Sequence, residues 1–275
     1  MAKLVVRNLH KMFQIDEGFG RFSSITAIDN VNLEVGEGEL MTIIGPSGCG
    51  KSTLLMILAG LYDKSSGEVL LNGNPINGPG LDRGVVFQEF ALFPWLTVRN
   101  NIRFGLKMKG IPASEHGRII KHYLKMVKLQ EFENIFPHRL SGGMKQRVGI
   151  ARALAYSPEL LLMDEPFGAL DAQTRTSLQQ MLVDIWTETR KTILFVTHSV
   201  REAVFLSDRI LVLSRRPSRV RTVIEVKLPR PRQRLSQPFL RYEEELEELI
   251  ARELEEEGKP FGIANGKFQN CKSEI

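Results

Sequence analysis

The sequence predicts an α/β fold built on a parallel core sheet, with an antiparallel β subdomain at its start and a helical subdomain inserted in its middle. Three observations predict it. Short apolar runs at residues 40–44, 160–163, 193–196 and 210–213 have the length of buried strands, and stretches with helical spacing at 51–61 and 174–189 alternate with them. Residues 4–6 and 31–35 alternate apolar and polar with period 2, as half-buried strands do, and residues 69–71 add a further strand signal. Between a strand signal at 85–87 and the one at 160–163, the pattern from about 94 to 155 turns helical and basic. That interruption marks the inserted subdomain.

Composition narrows the class. The 275 residues contain no apolar run near the ~20 residues that a membrane-crossing helix needs. Residues 1–10 lack the charged-then-apolar pattern of a leader. Two cysteines, Cys49 and Cys271, are too few for a disulfide scaffold or a zinc cluster, so a reducing compartment is expected. The net charge is +5, yet residues 243–257 hold nine glutamates against Arg252 alone. Elsewhere the bases are scattered and no recognition motif accompanies them, so no nucleic-acid partner is expected. After the breaker Pro229-Arg230-Pro231-Arg232, the residues Phe239, Tyr242, Leu246, Leu249, Ile250 and Leu254 mark one helical face among glutamates. This reads as an amphipathic acidic helix packed on its own domain, with a docking helix as the alternative. Beyond Gly258 no period is visible.

The chemistry begins at Gly45-Pro46-Ser47-Gly48-Cys49-Gly50-Lys51-Ser52-Thr53, which fits G-x-x-x-x-G-K-[ST] after a strand and before a helix. Glycines let successive backbone N–H groups turn toward phosphate oxygens at the positive end of a helix. Lys51 is placed to reach the β- and γ-phosphates of a nucleotide, and the Ser52 hydroxyl to complete Mg2+ coordination. Cys49 reads as small filler, a reactive thiol at a helix start being the alternative. The run Leu160-Leu161-Leu162-Met163 ends in Asp164-Glu165. Asp164 is placed to hold the metal, and Glu165 to orient or deprotonate the attacking water.

A phosphate-binding loop alone does not separate kinases, GTPases, helicases and transporters. Leu140-Ser141-Gly142-Gly143-Met144-Lys145-Gln146-Arg147 does. Here the chain resembles the ATP-binding cassette (ABC) family, over about residues 3–225 and with the motifs in the family's order. Gln88 matches the Q-loop, Ala169-Leu170-Asp171 the D-loop and His198 the switch histidine. The resemblance implies a P-loop NTPase core of the ABC type spanning 1–228, with its helical subdomain at about 90–155 and a tail at 229–275. It implies that Ser141, Gly142 and Gly143 face the γ-phosphate held by a second copy, in a head-to-tail dimer sandwiching two ATP molecules. Gln88 then ligates Mg2+ and senses the γ-phosphate, His198 donates to that phosphate, and Asp171 links the two sites. Phe13 is the candidate for stacking on adenine, with Phe19 and Phe22 competing.

Phe87-Gln88-Glu89 with Leu92-Phe93-Pro94-Trp95-Leu96, and Glu165-Pro166-Phe167-Gly168-Ala169-Leu170-Asp171-Ala172-Gln173-Thr174-Arg175, are similar to the nitrate, sulfonate and taurine importer branch. Two departures stand out: Ser199 follows the switch histidine where Asp is usual, and residues 15–24 read as an insertion. The branch implies an ATPase at the cytoplasmic face of the membrane that drives a separate integral permease and works indirectly with a solute-binding protein. Its solute is expected to be a small anion or sulfonate. A soluble cassette ATPase and an exporter ATPase are the rival readings. Phe90, Leu92, Phe93, Pro94 and Trp95 either enter the chain's own core or line a groove for the permease.

Overall fold

A computed structural model of the chain describes residues 2–18 and 21–255. The period-2 segments at its start form a long antiparallel hairpin, β1 (Ala2–Gly18) against β2 (Arg21–Gly36), with Val5 opposite Glu34 and Phe13 opposite Ile25. The stretch that reads as an insertion is the outer end of this hairpin, where Asp16 still faces Phe22. After β3 (Leu40–Ile44), β4 (Ser66–Leu71) pairs with the other edge of β1, and β5 (Asn74–Pro75) closes a sheet of order β2-β1-β4-β5.

The core sheet contains β3, β6 (Arg83–Val86), β7 (Leu160–Asp164), β8 (Thr192–Val196), β9 (Arg209–Leu213) and β10 (Val220–Glu225), in the order β10-β9-β3-β8-β7-β6. Every neighbouring pair is parallel except β10 on β9, which is antiparallel. The apolar runs of these strands are continuous because both faces are covered. Leu160 and Leu162 enter one apolar cluster with β1, β2 and α1 (Lys51–Leu58). Leu161 and Met163 enter the other, formed with helices of the insert and of the second half of the chain. The strand β10 has no counterpart in the sequence reading, because every second residue of it is exposed and it has no uninterrupted apolar run.

Helix α1 stops earlier than its spacing predicts. Gly60 sits at φ +75°, and a Cβ there would lie 2.1 Å from Gly78 O, so the chain must turn at a glycine. The insert consists of α2 (Val98–Met108), α3 (Ala113–Met126) and α4 (Gly142–Ala155). Its leading aromatics divide: Phe90 and Leu92 pack against the core, whereas Trp95 is 70% exposed. Trp95 leans on Phe93, whose ring also meets Phe104 at 4.6 Å.

The second half adds α5 (Ala172–Thr189), α6 (Val200–Leu206) and α7 (Gln237–Glu255). Phe239 and Leu246 of α7 are fully buried in the cluster that includes α6, and Tyr242, Leu249 and Ile250 pack beside them. The amphipathic face is thus packed on the chain's own core, except at Leu254, which is exposed. Two tail glutamates also turn inward: Glu253 pairs with Arg221 at 3.1 Å and Glu243 with Arg201 at 3.3 Å.

Arg232 ties this tail down. It is buried, and its guanidinium donates to Val204 O and Ser207 O, both at 2.6 Å, and to Phe205 O and Val226 O at 3.3 and 3.2 Å. The carbonyls at the C-terminus of α6 that no helical N–H can reach receive their donors from this side chain and from Arg230, which donates to Leu206 O at 2.6 Å and to Phe205 O at 3.5 Å. Burial, aided by the neighbouring Arg230 charge, lowers its pKa to about 10. Truncating Arg232 to Ala leaves Val204 O and Ser207 O buried and unpaired, and should cost about 3 kcal/mol. Urea unfolding measures this; a loss under about 1 kcal/mol would mean the carbonyls find other donors.

Candidate active site

The chain leaves β3 at Ile44 and turns through Gly45–Gly50 into α1. Gly50 caps the helix at φ 114°, ψ 11°, a conformation that suits glycine. A Cβ on Gly50 would lie 2.8 Å from Ser218 Oγ, and one on Gly45 2.8 Å from Leu213 O. The loop after β9 therefore presses directly on this turn. No side chain caps α1, which leaves its first N–H groups for an anionic ligand. Lys51 is buried, and its Nζ donates to Gly45 O and Pro46 O, both at 2.9 Å. Cys49 N donates to Pro46 O, and the Cys49 side chain is buried. Burial pushes its thiol up despite the nearby Lys51 charge, so it packs as filler rather than standing as an activated nucleophile.

A cavity of about 470 Å³ opens over this turn, lined by Ser47, Gly48, Gly50, Lys51, Ser52, Thr53, Glu165, His198 and Arg216. Ser52 Oγ donates to Asp164 Oδ1 at 3.0 Å. Burial raises the Asp164 pKa, and the adjacent Glu165 charge adds to this while Ser52 and Lys51 oppose it. Glu165 stands one residue past β7 with φ 41°, a left-handed conformation that costs a non-glycine residue. Backbone bonds hold it there, from Glu165 N to Val196 O and from Gly168 N to Glu165 O, both at 3.0 Å. Its Oε2 lies 2.7 Å from His198 Nδ1. A carboxylate accepts, so that ring nitrogen carries a proton.

The other sequence-identified residues surround this centre without lining the cavity. Gln88 follows β6 with its amide beside Gly168, where a Cβ would stand 3.3 Å from Nε2. Asp171 caps α5, accepting from Thr174 N at 2.9 Å, and that bond holds its carboxyl below the usual range. Ser141 caps α4 and accepts from Met144 N at 3.3 Å. Gly142 and Gly143 lie against Leu170 and Thr174, with Thr174 Cγ2 only 2.4 Å from where a Gly143 Cβ would be. Phe13 is half-buried, edge-on to Tyr62 at 6.1 Å, with Lys11 Nζ 4.7 Å from its ring centre. Phe22 is exposed, and Phe19 lies outside the described residues. Ser199 caps α6, accepting from Glu202 N at 3.3 Å, so it supplies the helix cap without the charge of the usual Asp.

Two contributors escape a sequence reading. Arg216 lines the cavity and donates from Nη2 to Gly48 O at 2.9 Å, and the Ser218 hydroxyl donates to Cys49 O. The available signal is positional: β9 is a strand of the parallel sheet, and sites form beyond the carboxyl ends of such strands.

Residues 28–168 match the model of the ABC transporter family. The chain belongs to that family. It is 52% identical to an uncharacterized ABC transporter ATP-binding protein of Methanocaldococcus jannaschii, covering 92% of this chain and 93% of the relative. It is 43% identical to the nitrate import ATP-binding protein of Synechocystis over 92% of this chain and 97% of that one. With the taurine import ATP-binding protein of Ruegeria pomeroyi it shares 46% identity over 83% of each. A dimeric ATP-binding cassette in a post-hydrolysis state, bound to ADP and phosphate, superposes with a TM-score of 0.70 at 34% identity, over 82% of this chain and all of that one. As an ABC ATP-binding protein of this import-type group the chain is an ATPase, and its fold is that of the ABC cassette. Among the described residues, no helix is long and apolar enough to cross a membrane.

Proposed function

We propose that this ABC ATPase is the energy-coupling subunit of an importer for a small anion or sulfonate-like solute. It works at the cytoplasmic face of the membrane, as a head-to-tail dimer bound to a separate permease that receives solute from a binding protein. The observation that carries this reading is the exposed Trp95, set on Phe93 just after Gln88. A bulky ring left in solvent on the helical insert is suited to receive a partner helix. The similarity to nitrate and taurine import proteins supports the solute class. The proposed division is an ATP-binding domain at 1–228, with its helical subdomain at about 90–155, and a tail from 229.

In the proposed mechanism the P-loop N–H groups and Lys51 hold the ATP phosphates, and Phe13 stacks on adenine. Ser52 and Asp164, hydroxyl and carboxylate 3.0 Å apart, are hard oxygen donors suited to Mg2+, with Gln88 as a further ligand. When bound, the ion neutralises phosphate charge. Glu165 takes a proton from the attacking water. His198, hydrogen-bonded to Glu165 through Nδ1, donates a ring N–H to the γ-phosphate. Ser141, Gly142 and Gly143 serve the nucleotide of the partner copy, and Asp171 joins the two sites. Support for the division between copies is that the cavity over Lys51 is lined without the start of α4.

Replacing Glu165 with Gln should leave ATP binding intact, lower kcat by about 100-fold or more, and trap an ATP-bound dimer. Turnover together with size-exclusion chromatography in Mg-ATP checks this; near wild-type hydrolysis would end the general-base role. Mixing Ser141→Arg protein with Lys51→Ala protein should restore turnover, since one interface of the mixed dimer then carries both defects and the other neither. If each chain completed its own site, mixing would restore nothing. Trp95→Ala should fold and hydrolyse ATP normally, yet lose about 2 kcal/mol of permease association, roughly thirtyfold. Co-purification with the membrane fraction and solute uptake read this out, and unchanged association would remove Trp95 from the docking surface.

A further inference from the structure

Buried polar side chains that the hydrolysis scheme does not use gather between α5, α6 and the segment leading to α7. Glu202, in the first turn of α6, is 4% exposed. Its Oε1 accepts from Gln179 Nε2 at 2.7 Å, and Gln179, buried on α5, accepts at its own Oε1 from Arg234 Nη2 at 2.6 Å. On the other side, the Glu202 backbone N–H donates to Ser199 Oγ at 3.3 Å, and the nearby Thr197 side chain opposes the rise that burial imposes on the carboxyl. Thr197 Oγ1 in turn accepts the Ser199 N–H at 3.0 Å. Hydrogen bonds therefore run from a tail arginine through Gln179 to the Glu202 side chain, and from the Glu202 backbone to Ser199, the residue after His198.

The Gln179 amide in this chain is oriented from both of its ends. A guanidinium has donors and no acceptor, so Gln179 must present Oε1 to Arg234 and hence Nε2 to Glu202. The carboxylate accepts from Gln179, while the backbone N–H groups of Glu202 and Ser199 donate to Ser199 Oγ and Thr197 Oγ1. Without Arg234 the Gln179 amide is held from the Glu202 side alone, and its oxygen loses its donor. Arg234 is itself fixed, its guanidinium 3.7 Å from the centre of the Phe205 ring, while Arg201 and Glu243 join α6 to α7 nearby. Burial pushes the Glu202 carboxyl up, as expected of an acid whose partners are mostly neutral.

We infer that Arg234, Gln179 and Glu202 are positioning residues for His198, so that the seating of the tail on α6 sets the rate of ATP hydrolysis. None of the three touches the cavity; they act through the loop that aims the histidine at Glu165.

The inference rests on the proposed role of His198, so His198→Ala is assayed first. Wild-type turnover in that variant would sink the role itself, whatever the relay variants do. In the full-length protein, Arg234→Ala and Gln179→Ala should each lower kcat about tenfold, while ATP affinity stays within about twofold and the melting temperature within a few degrees. The double variant should be no slower than the slower single one, because residues acting as one unit are not additive. Should Ala at 234 unfold the protein, Arg234→Met keeps an aliphatic stem over Phe205 without a donor and carries the same test. Unchanged kcat, a double variant whose losses multiply, or ATP affinity and melting temperature falling together with kcat would each overturn the relay.

Discussion

In-register parallel pairing along β9-β3-β8-β7 brings the carboxyl ends of four strands to one edge of the sheet, and the chemistry of this ATPase depends on that edge. Ile43 stands opposite Val196, Asp164 opposite Val196, and Ile44 opposite Val212. The residues that follow these positions are the phosphate-binding turn, Glu165, the His198 loop and the Arg216 loop. Their relative positions are set by ladder hydrogen bonds, so side chains far apart in sequence meet within hydrogen-bond distance. Moving one strand by a single residue would reverse its inward and outward faces and destroy both the core and the site.

Charge is concentrated at this edge and held by backbone groups rather than by solvent. Lys51 is buried against two carbonyls of its own loop, and Asp164 is desolvated yet hydrogen-bonded by Ser52. Glu165 keeps a left-handed backbone that the bonds to Val196 and from Gly168 enforce. Such strain is stored where geometry matters more than stability. It turns the carboxylate toward His198 instead of along the sheet.

The two additions to the core are joined to this edge in different ways. The helical insert meets it through Gln88 and through the start of α4, where Gly142 and Gly143 admit Leu170 and Thr174 at close range. Arg175 holds the same stretch, donating to Phe167 O and Leu170 O at 3.2 and 2.8 Å. The tail meets the edge from behind, through the carbonyls of α6 that Arg232 satisfies and through the buried polar chain beginning at Arg234. A change in either addition can therefore reach the nucleotide site without touching nucleotide.

How much of this was legible in the sequence follows from how local each feature is. The phosphate-binding turn and the Asp164-Glu165 pair depend on neighbours within a few residues, so spacing alone determined them. The core strands were equally legible, because burial on both faces leaves an uninterrupted apolar run. Strand β10 was not, since one of its faces meets solvent. Nor could sequence decide between core and surface for Trp95, or between solvent and burial for Glu243 and Glu253 in an acidic tail. Those outcomes depend on which element packs opposite. Arg216 on Gly48, and Arg234 on Gln179, join residues 168 and 55 positions apart. Contacts of that kind leave no periodicity in the chain, and folding alone creates them by bringing separate loops to the same edge of one sheet.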